Sequence, residues 1–323
     1  MKQILVKECG GPEKMELVEV AKPAPGPGQV LVKLASIGVN FIDIYFRIGL
    51  YKAPAPVSLG MEGAGVVEAV GEGVEGVKTG DRVAYCMVRG SYAEYAVVPA
   101  AQIVVLPAAL DFQSASAAML QGMTAHYLTH STYALKPGDT CLVHAAAGGT
   151  GGLITQMAKM RGARVIGTAS TREKAALAKA SGADEVILYT ECEFDQEVKR
   201  LTGGRGVDVV YDSVGASTFM RSLDSLKPRG MMVTFGNASG AVPAIEPLLL
   251  NQKGSLYLTR PALAHYATTR EELLARANDV LGWVASGKLK LRIGRTYPLA
   301  HVAQAHIDLA GRATTGKLLL IPG

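Results

Sequence analysis

Two hydrophobic rhythms divide the chain. Up to about residue 122, short apolar runs (Ile4–Val6, Val30–Leu34, Gly65–Val70) are broken by glycine and proline. Pro23, Pro25, Gly26, Pro27 and Gly28 precede one run, and Gly71, Gly73, Gly76 and Gly80 follow another. Apolar runs with this punctuation predict strands joined by turns. From about residue 123, strand windows at Thr140–His144, Arg164–Thr168, Glu185–Leu188, Val207–Asp212 and Met231–Phe235 alternate with helical windows at 151–161, 171–181, 193–202 and 217–226. That alternation predicts a parallel sheet with helices on both faces. A helix at Arg270–Ser286 and a strand at Lys317–Ile321 follow, and this tail is expected to rejoin the first region. The expected fold class is α/β. A β-rich domain covers 1–122 and is completed by 267–323, and a doubly wound parallel-sheet domain covers 123–266.

Composition narrows the classes. With 323 residues, the chain is long enough for two cores. Thirty-three Lys and Arg against 28 Asp and Glu give a net charge of +5. The basic residues form no block, which argues against a nucleic-acid or membrane surface. Cys9, Cys86, Cys141 and Cys192 are far apart with no CxxC pair, as expected for a reduced cytoplasmic protein without disulfides. The segment Met1–Lys7 is too short and charged for a signal peptide, and no apolar run reaches membrane-spanning length.

The chemistry is concentrated between His144 and Gly152, in the run His-Ala-Ala-Ala-Gly-Gly-Thr-Gly-Gly. A strand window enters it and a helical window leaves it. This arrangement sets a pyrophosphate on a helix N-terminus. Ala146, Gly148 and Gly151 hold the GxGxxG spacing, with alanine at the first position. The next strand ends in Ala169-Ser-Thr-Arg-Glu-Lys174. NAD-binding proteins place an acidic residue there to accept from the ribose 2′-hydroxyl. Here Ser170 holds the position, with Thr171, Arg172 and Lys174 beside it. Hydroxyl and cationic groups suit a 2′-phosphate through charge-assisted hydrogen bonds, so NADPH is expected rather than NADH. The same residues also read as a helix N-cap followed by a solvated basic turn.

Other constellations are weak. His126 and His130 lie four apart on a helical pattern and read as a polar helix face rather than a metal site. No GxSxG elbow or Cys–His nucleophile pair stands out. Cys141 lies in an apolar strand and is expected in the core.

Taken together, these segments resemble the quinone oxidoreductases of the zinc-free medium-chain dehydrogenase/reductase family, the group that includes ζ-crystallin. The resemblance covers the whole chain and is strongest to the bacterial NADPH:quinone reductase branch. It is carried by Gly38–Gly49, Gly60–Gly65, His144–Gly151, Tyr211–Gly215, Phe235–Gly240 and Asn251–Ser255. The resemblance implies a GroES-like catalytic domain, a Rossmann domain, a cleft between them, and a homodimer joined through the edges of the Rossmann sheets. It further implies that Asn40, Asp43 and Tyr45 line the nicotinamide side, with Tyr51 nearby. Gly148, Gly149, Thr150 and Gly151 would hold the pyrophosphate, and Ser170, Lys174 and Tyr189 would surround the 2′-phosphate. Thr124, Ser213, Phe235, Gly236, Asn237 and Arg312 would complete the cofactor groove.

Alcohol dehydrogenases of the wider family use a catalytic zinc as a Lewis acid. Their cysteine ligand matches Asn40, and the histidine of their Gly-His-Glu motif matches Met61. The segment after Cys86 also lacks the cysteines of a structural zinc. No metal is therefore expected, and Glu62 is expected to be a structural carboxylate. Without a Lewis acid, an electron-poor quinone or conjugated carbonyl is the acceptor best suited to hydride transfer, because it stabilises the incoming charge itself. Tyr45 and Asn40 are the candidate hydrogen-bond donors to that acceptor. The expected activity is an NADPH-dependent quinone reductase. The alternatives are an enone or alkenal reductase and a nonenzymatic NADPH-binding or RNA-associated protein.

Overall fold

The computed structural model describes residues 1–312 and 314–323. These form two compact units: residues 1–123 with 267–323, and residues 124–266. The division falls inside the helix Phe112–Tyr127.

The first unit is built around the long strand Gln29–Val39, most of whose side chains are buried. It pairs antiparallel with Glu62–Val70, with Tyr95–Pro99 and with Lys317–Ile321. The chain's last strand thus lies next to one of its first. The sheet continues through Arg82–Cys86 to Val104–Val105 on one side and ends at Ile293–Pro298 on the other. Val32, Ile37, Tyr85, Leu318 and Leu320 are among its core residues. Each fully buried side chain of this kind contributes roughly 1.5–3 kcal/mol.

The second unit is an all-parallel six-stranded sheet. In chain order its strands are Thr140–Val143, Arg164–Ala169, Glu185–Leu188, Val207–Asp212, Leu226–Thr234 and Tyr257–Thr259; in space they run third, second, first, fourth, fifth, sixth. This is the doubly wound order, which reverses at the first strand. Val207–Asp212 is buried at every position, as a central parallel strand covered on both faces requires. The fold class read from the sequence matches this structure. The sixth strand, Tyr257–Thr259, escaped sequence reading because it has only three residues and two of them are exposed. Among the described residues, no helix is long and apolar enough to cross a membrane.

Candidate active site

In the second unit, the expected nucleotide residues gather at the carboxyl ends of the parallel strands. The glycine turn leaves the first strand, where the strand order reverses. Helix Gly149–Met160 begins at Gly148, whose backbone is extended (φ −73°, ψ 173°). The first N–H groups of any helix lack partners within it. Gly149, Thr150 and Gly151 thus offer an anion a set of backbone donors.

Gly151 is required by packing. A Cβ there would lie 2.9 Å from the Ala145 carbonyl carbon and 3.1 Å from Ala146 Cα. The turn itself is made at Ala145, which takes a left-handed conformation (φ 50°), not at the alanine in the first motif position. Ala146 instead packs against the second strand, where a Cβ on Gly167 would stand 2.8 Å from its own.

His144 is buried and ties this region together. Its Nδ1 is 3.0 Å from Thr168 Oγ1 and its Nε2 is 2.9 Å from Ser222 Oγ. Burial holds its pKa below the usual histidine range, despite the nearby Asp212. A neutral imidazole is both donor and acceptor, so it can join two hydroxyls. Asp212 in turn accepts from the backbone N–H groups of Val214 and Gly215 at 2.7 and 3.0 Å. That bonding shapes the turn carrying Ser213. Gly236 follows the next strand and lies so close that a Cβ on it would be 2.8 Å from Ser213 Cα. Phe235 and Asn237 flank it and are half-buried.

Ser170 and Tyr189 follow neighbouring strands paired at Ala169 and Leu188. The Tyr189 N–H donates to the Ala169 carbonyl at 3.2 Å, which keeps the two strand ends together. Lys174 lies in the first turn of helix Arg172–Ala180, where its N–H donates to Thr171 Oγ1 at 3.3 Å. Thr171 is therefore an N-cap, as the plainer reading of this segment expects. Glu173 is exposed, and its hydrogen bond with Thr171 holds its carboxyl below the usual range. Thr124, also in this unit, is buried in helix Phe112–Tyr127.

In the first unit, Asn40 caps the short helix Phe41–Arg47, and its N–H donates to Asp43 Oδ2 at 2.9 Å. The Asn-Phe-Ile-Asp spacing is a sequence-level sign of a helix start. Tyr45 is buried on this helix. Its ring lies 5.3 Å from Tyr51, edge to face, and 6.3 Å from Phe41.

Two corrections follow. Asp43, expected to line the nicotinamide side, is fully buried. Its oxygens accept from Asn40 N–H, from Tyr92 OH at 3.1 Å and from Gly60 N–H at 3.1 Å. It shapes the segment carrying Asn40 and presents no surface to a ligand. His126 and His130 do not form a polar helix face: His126 is buried, and the rings stack at 4.3 Å and 7°. Arg312 belongs to the first unit, beyond helix Val302–Ala310, with left-handed backbone (φ 56°).

Sequence reasoning missed the polar cluster beneath Asn40. Tyr92 OH is 2.9 Å from His306 Nε2, and His306 Nδ1 is 3.0 Å from Arg47 Nη1. Arginine only donates, so Nδ1 accepts, and Nε2–H is left to donate to Tyr92. Burial and the Arg47 charge push His306 down to about 3. Burial pushes Asp43 up to about 7, against the donors from Asn40 and Tyr92 and the charge of Lys317.

Glu62, expected as a structural carboxylate, is one. It is fully buried and accepts from Asn40 Nδ2 at 2.7 Å, from the Leu120 N–H at 2.7 Å and from Lys317 Nζ. Gly38 leaves the space its carboxylate fills. Among the described residues, no three His, Cys, Asp or Glu side chains are grouped to hold a metal ion.

A GroES-like β-rich unit and a Rossmann sheet in one chain define a medium-chain dehydrogenase/reductase. Residues 26–108 match the "Alcohol dehydrogenase GroES-like domain" family, and residues 149–275 match the "Zinc-binding dehydrogenase" family. The chain is 47% identical to a quinone oxidoreductase of Pseudomonas aeruginosa, with 99% of each covered. It is 42% identical to a 2-haloacrylate reductase of a Burkholderia species, with 98% of each covered. A solved structure of Escherichia coli quinone oxidoreductase complexed with NADPH superposes with a TM-score of 0.98 at 46% identity, covering 100% of both chains. This chain belongs to the quinone oxidoreductase family.

Proposed function

We propose that this protein is an NADPH-dependent, zinc-independent quinone reductase. The observation that carries the reading is the carboxyl-terminal edge of the parallel sheet. There a glycine turn opening a helix lies at the strand-order reversal, and Ser170 follows the end of the next strand, where an acidic residue would select NADH. The E. coli relative's structure with NADPH supports the same cofactor.

In this reading the N–H groups of Gly149, Thr150 and Gly151 bind the pyrophosphate. Ser170, Lys174 and Tyr189 take the 2′-phosphate. Thr124, Ser213, Phe235, Gly236, Asn237 and Arg312 complete the groove. Asn40, Tyr45 and Tyr51 serve the nicotinamide and acceptor end. Bound NADPH supplies a hydride; with one proton from solvent, a quinone becomes a hydroquinone. The chain's own residues bind, orient and exclude water, and Tyr45 or Asn40 donates a hydrogen bond to the acceptor oxygen as its charge grows.

Zinc independence is supported by the donor chemistry around Glu62. The Lys317 ammonium lies 2.6 Å from Asn40 Oδ1 and against Glu62. A metal there would face a cation at the carboxylate it needs, and Asn40 and Met61 replace the expected cysteine and histidine.

Two further expectations belong to this reading. A homodimer formed through the edge strand Tyr257–Thr259 is supported by exposed Tyr257, Leu258 and Leu248. A cytoplasmic location is supported by four free cysteines, two of them exposed.

The test is NADPH oxidation with 1,4-benzoquinone, 9,10-phenanthrenequinone, a 2-haloacrylate and an alkenal. Quinones are expected to turn over fastest. Brisk reduction of the 2-haloacrylate or alkenal with no quinone turnover would replace this reading with the double-bond reductase that the Burkholderia relative suggests.

A further inference from the structure

We propose that Lys317 is a positioning residue: its buried ammonium fixes the Asn40 amide so that Asn40 meets a ligand only as a hydrogen-bond donor. The inference rests on the reading above, in which Asn40 serves the nicotinamide and acceptor end.

The argument is one of donor and acceptor capacity. An amide has one end that accepts and one that donates, and the two have nearly the same shape. Asn40 is held at both ends. Lys317 Nζ lies 2.6 Å from its Oδ1, and Gln121 Nε2 lies 3.4 Å from the same oxygen. Its Nδ2 donates to Glu62 Oε1 at 2.7 Å. An ammonium only donates and a carboxylate only accepts. Turning the amide over would set an N–H against the ammonium and a carbonyl against the carboxylate. Lys317 and Glu62 are both buried, so water cannot relieve that mismatch.

One hydrogen of Asn40 Nδ2 remains, with no acceptor among the described residues. Asn40 is therefore matched to a ligand atom with a free lone pair: a carbonyl oxygen of the quinone or a hydroxyl oxygen of the nicotinamide ribose. Lys317 lies 277 residues from Asn40 and reaches it only because the last strand pairs with Gln29–Val39, which Asn40 directly follows.

The test compares Asn40→Ala, the double variant Lys317→Met/Glu62→Gln, and the triple variant. Lys317→Met alone would leave a buried carboxylate without its counter-ion, so the double variant removes both charges together. For each folded variant, quinone kcat and KM are measured alongside NADPH affinity. Asn40→Ala is expected to lower quinone kcat/KM, or to weaken NADPH, by about tenfold or more. The first result identifies the quinone oxygen as the partner and the second the ribose oxygen. The double variant should move the same parameter in the same direction. In the triple variant the loss should be no larger than in Asn40→Ala, because Lys317 acts through Asn40. Asn40→Asp, which keeps the shape and deletes the donor, should lose at least as much.

Losses that multiply in the triple variant, or full activity in Asn40→Asp, would overturn the proposal while leaving Asn40 in the site. An unchanged Asn40→Ala enzyme would remove Asn40 from the site, and the proposal with it.

Discussion

The two units hold their candidate residues by different means. In the second unit, the proposed pyrophosphate cradle is backbone: a glycine turn and a helix N-terminus at the end of a strand, made by residues close in sequence. In the first unit, the Asn40 segment rests on side chains from distant points of the chain. Asn40 meets Glu62 and Lys317, and Asp43 meets Tyr92, which meets His306. A backbone site fails when the backbone cannot take its shape. A buried side-chain network fails when one polar group loses its partner. The two should therefore break differently.

The largest effect is expected at Gly151. A valine there would drive its Cβ into the Ala145 carbonyl, and backbone cannot move aside as a side-chain tip can. Gly151→Val is expected to reduce NADPH-dependent turnover more than about 100-fold, the scale of a misplaced binding geometry. It should also abolish the rise in melting temperature that NADPH produces. Retention of that rise would show that the glycine turn does not hold the cofactor.

Lys174→Glu comes next. It should raise KM for NADPH by about tenfold or more while leaving KM for NADH within about twofold, since a charge-assisted bond to phosphate contributes roughly 1.5–3 kcal/mol. Equal effects on both cofactors would rule out the 2′-phosphate assignment.

In the first unit, Tyr92→Phe removes the donor to Asp43 and the acceptor of His306. Urea unfolding should show a loss of about 1–3 kcal/mol, the range for stranding a buried polar group. No loss would mean that the network does not hold the Asn40 segment.

The smallest effect is one of pH. His306 falls to about 3 when folded, from an ordinary 6.5. Between those values the unfolded chain binds the extra proton, so stability falls as pH drops from 6.5 towards 3. Asp43, raised to about 7 from 3.8, works in the opposite sense: the folded state holds the extra proton, and stability falls as pH rises from about 4 to 7. His306→Gln keeps an acceptor for Arg47 and a donor for Tyr92 without titrating. Where the two windows overlap, from about pH 4 to 6.5, the opposite slopes largely cancel, so His306→Gln should unmask the slope of Asp43 and make stability rise as pH falls through that range in chemical denaturation. An unchanged acid profile would remove His306 from the account.

The same difference explains what could be read from the sequence. The parallel strands announce themselves as apolar runs, and the turn from His144 to Gly152 lies between a strand and a helix that are contiguous with it. The positions of Ser170 and Lys174 after the next strand are legible because they follow it directly, while their part in binding a 2′-phosphate is the proposal that Lys174→Glu tests. Lys317, Tyr92 and His306 carry no local signal, since each acts on a partner brought to it only by the folded sheet. Asp43 was placed by the family resemblance, which carries over a position but neither its burial nor the donors that surround it. Glu62 was legible in part, because Asn40 and Met61 at the expected ligand positions leave it without a metal to serve.

The central claim is tested most directly by steady-state reduction of 9,10-phenanthrenequinone with NADPH and with NADH, at matched concentrations and in the presence of a metal chelator. The account predicts quinone turnover that survives chelation, with kcat/KM for NADPH at least about tenfold above that for NADH. Equal use of the two cofactors, loss of activity on chelation, or no quinone turnover with either would contradict it.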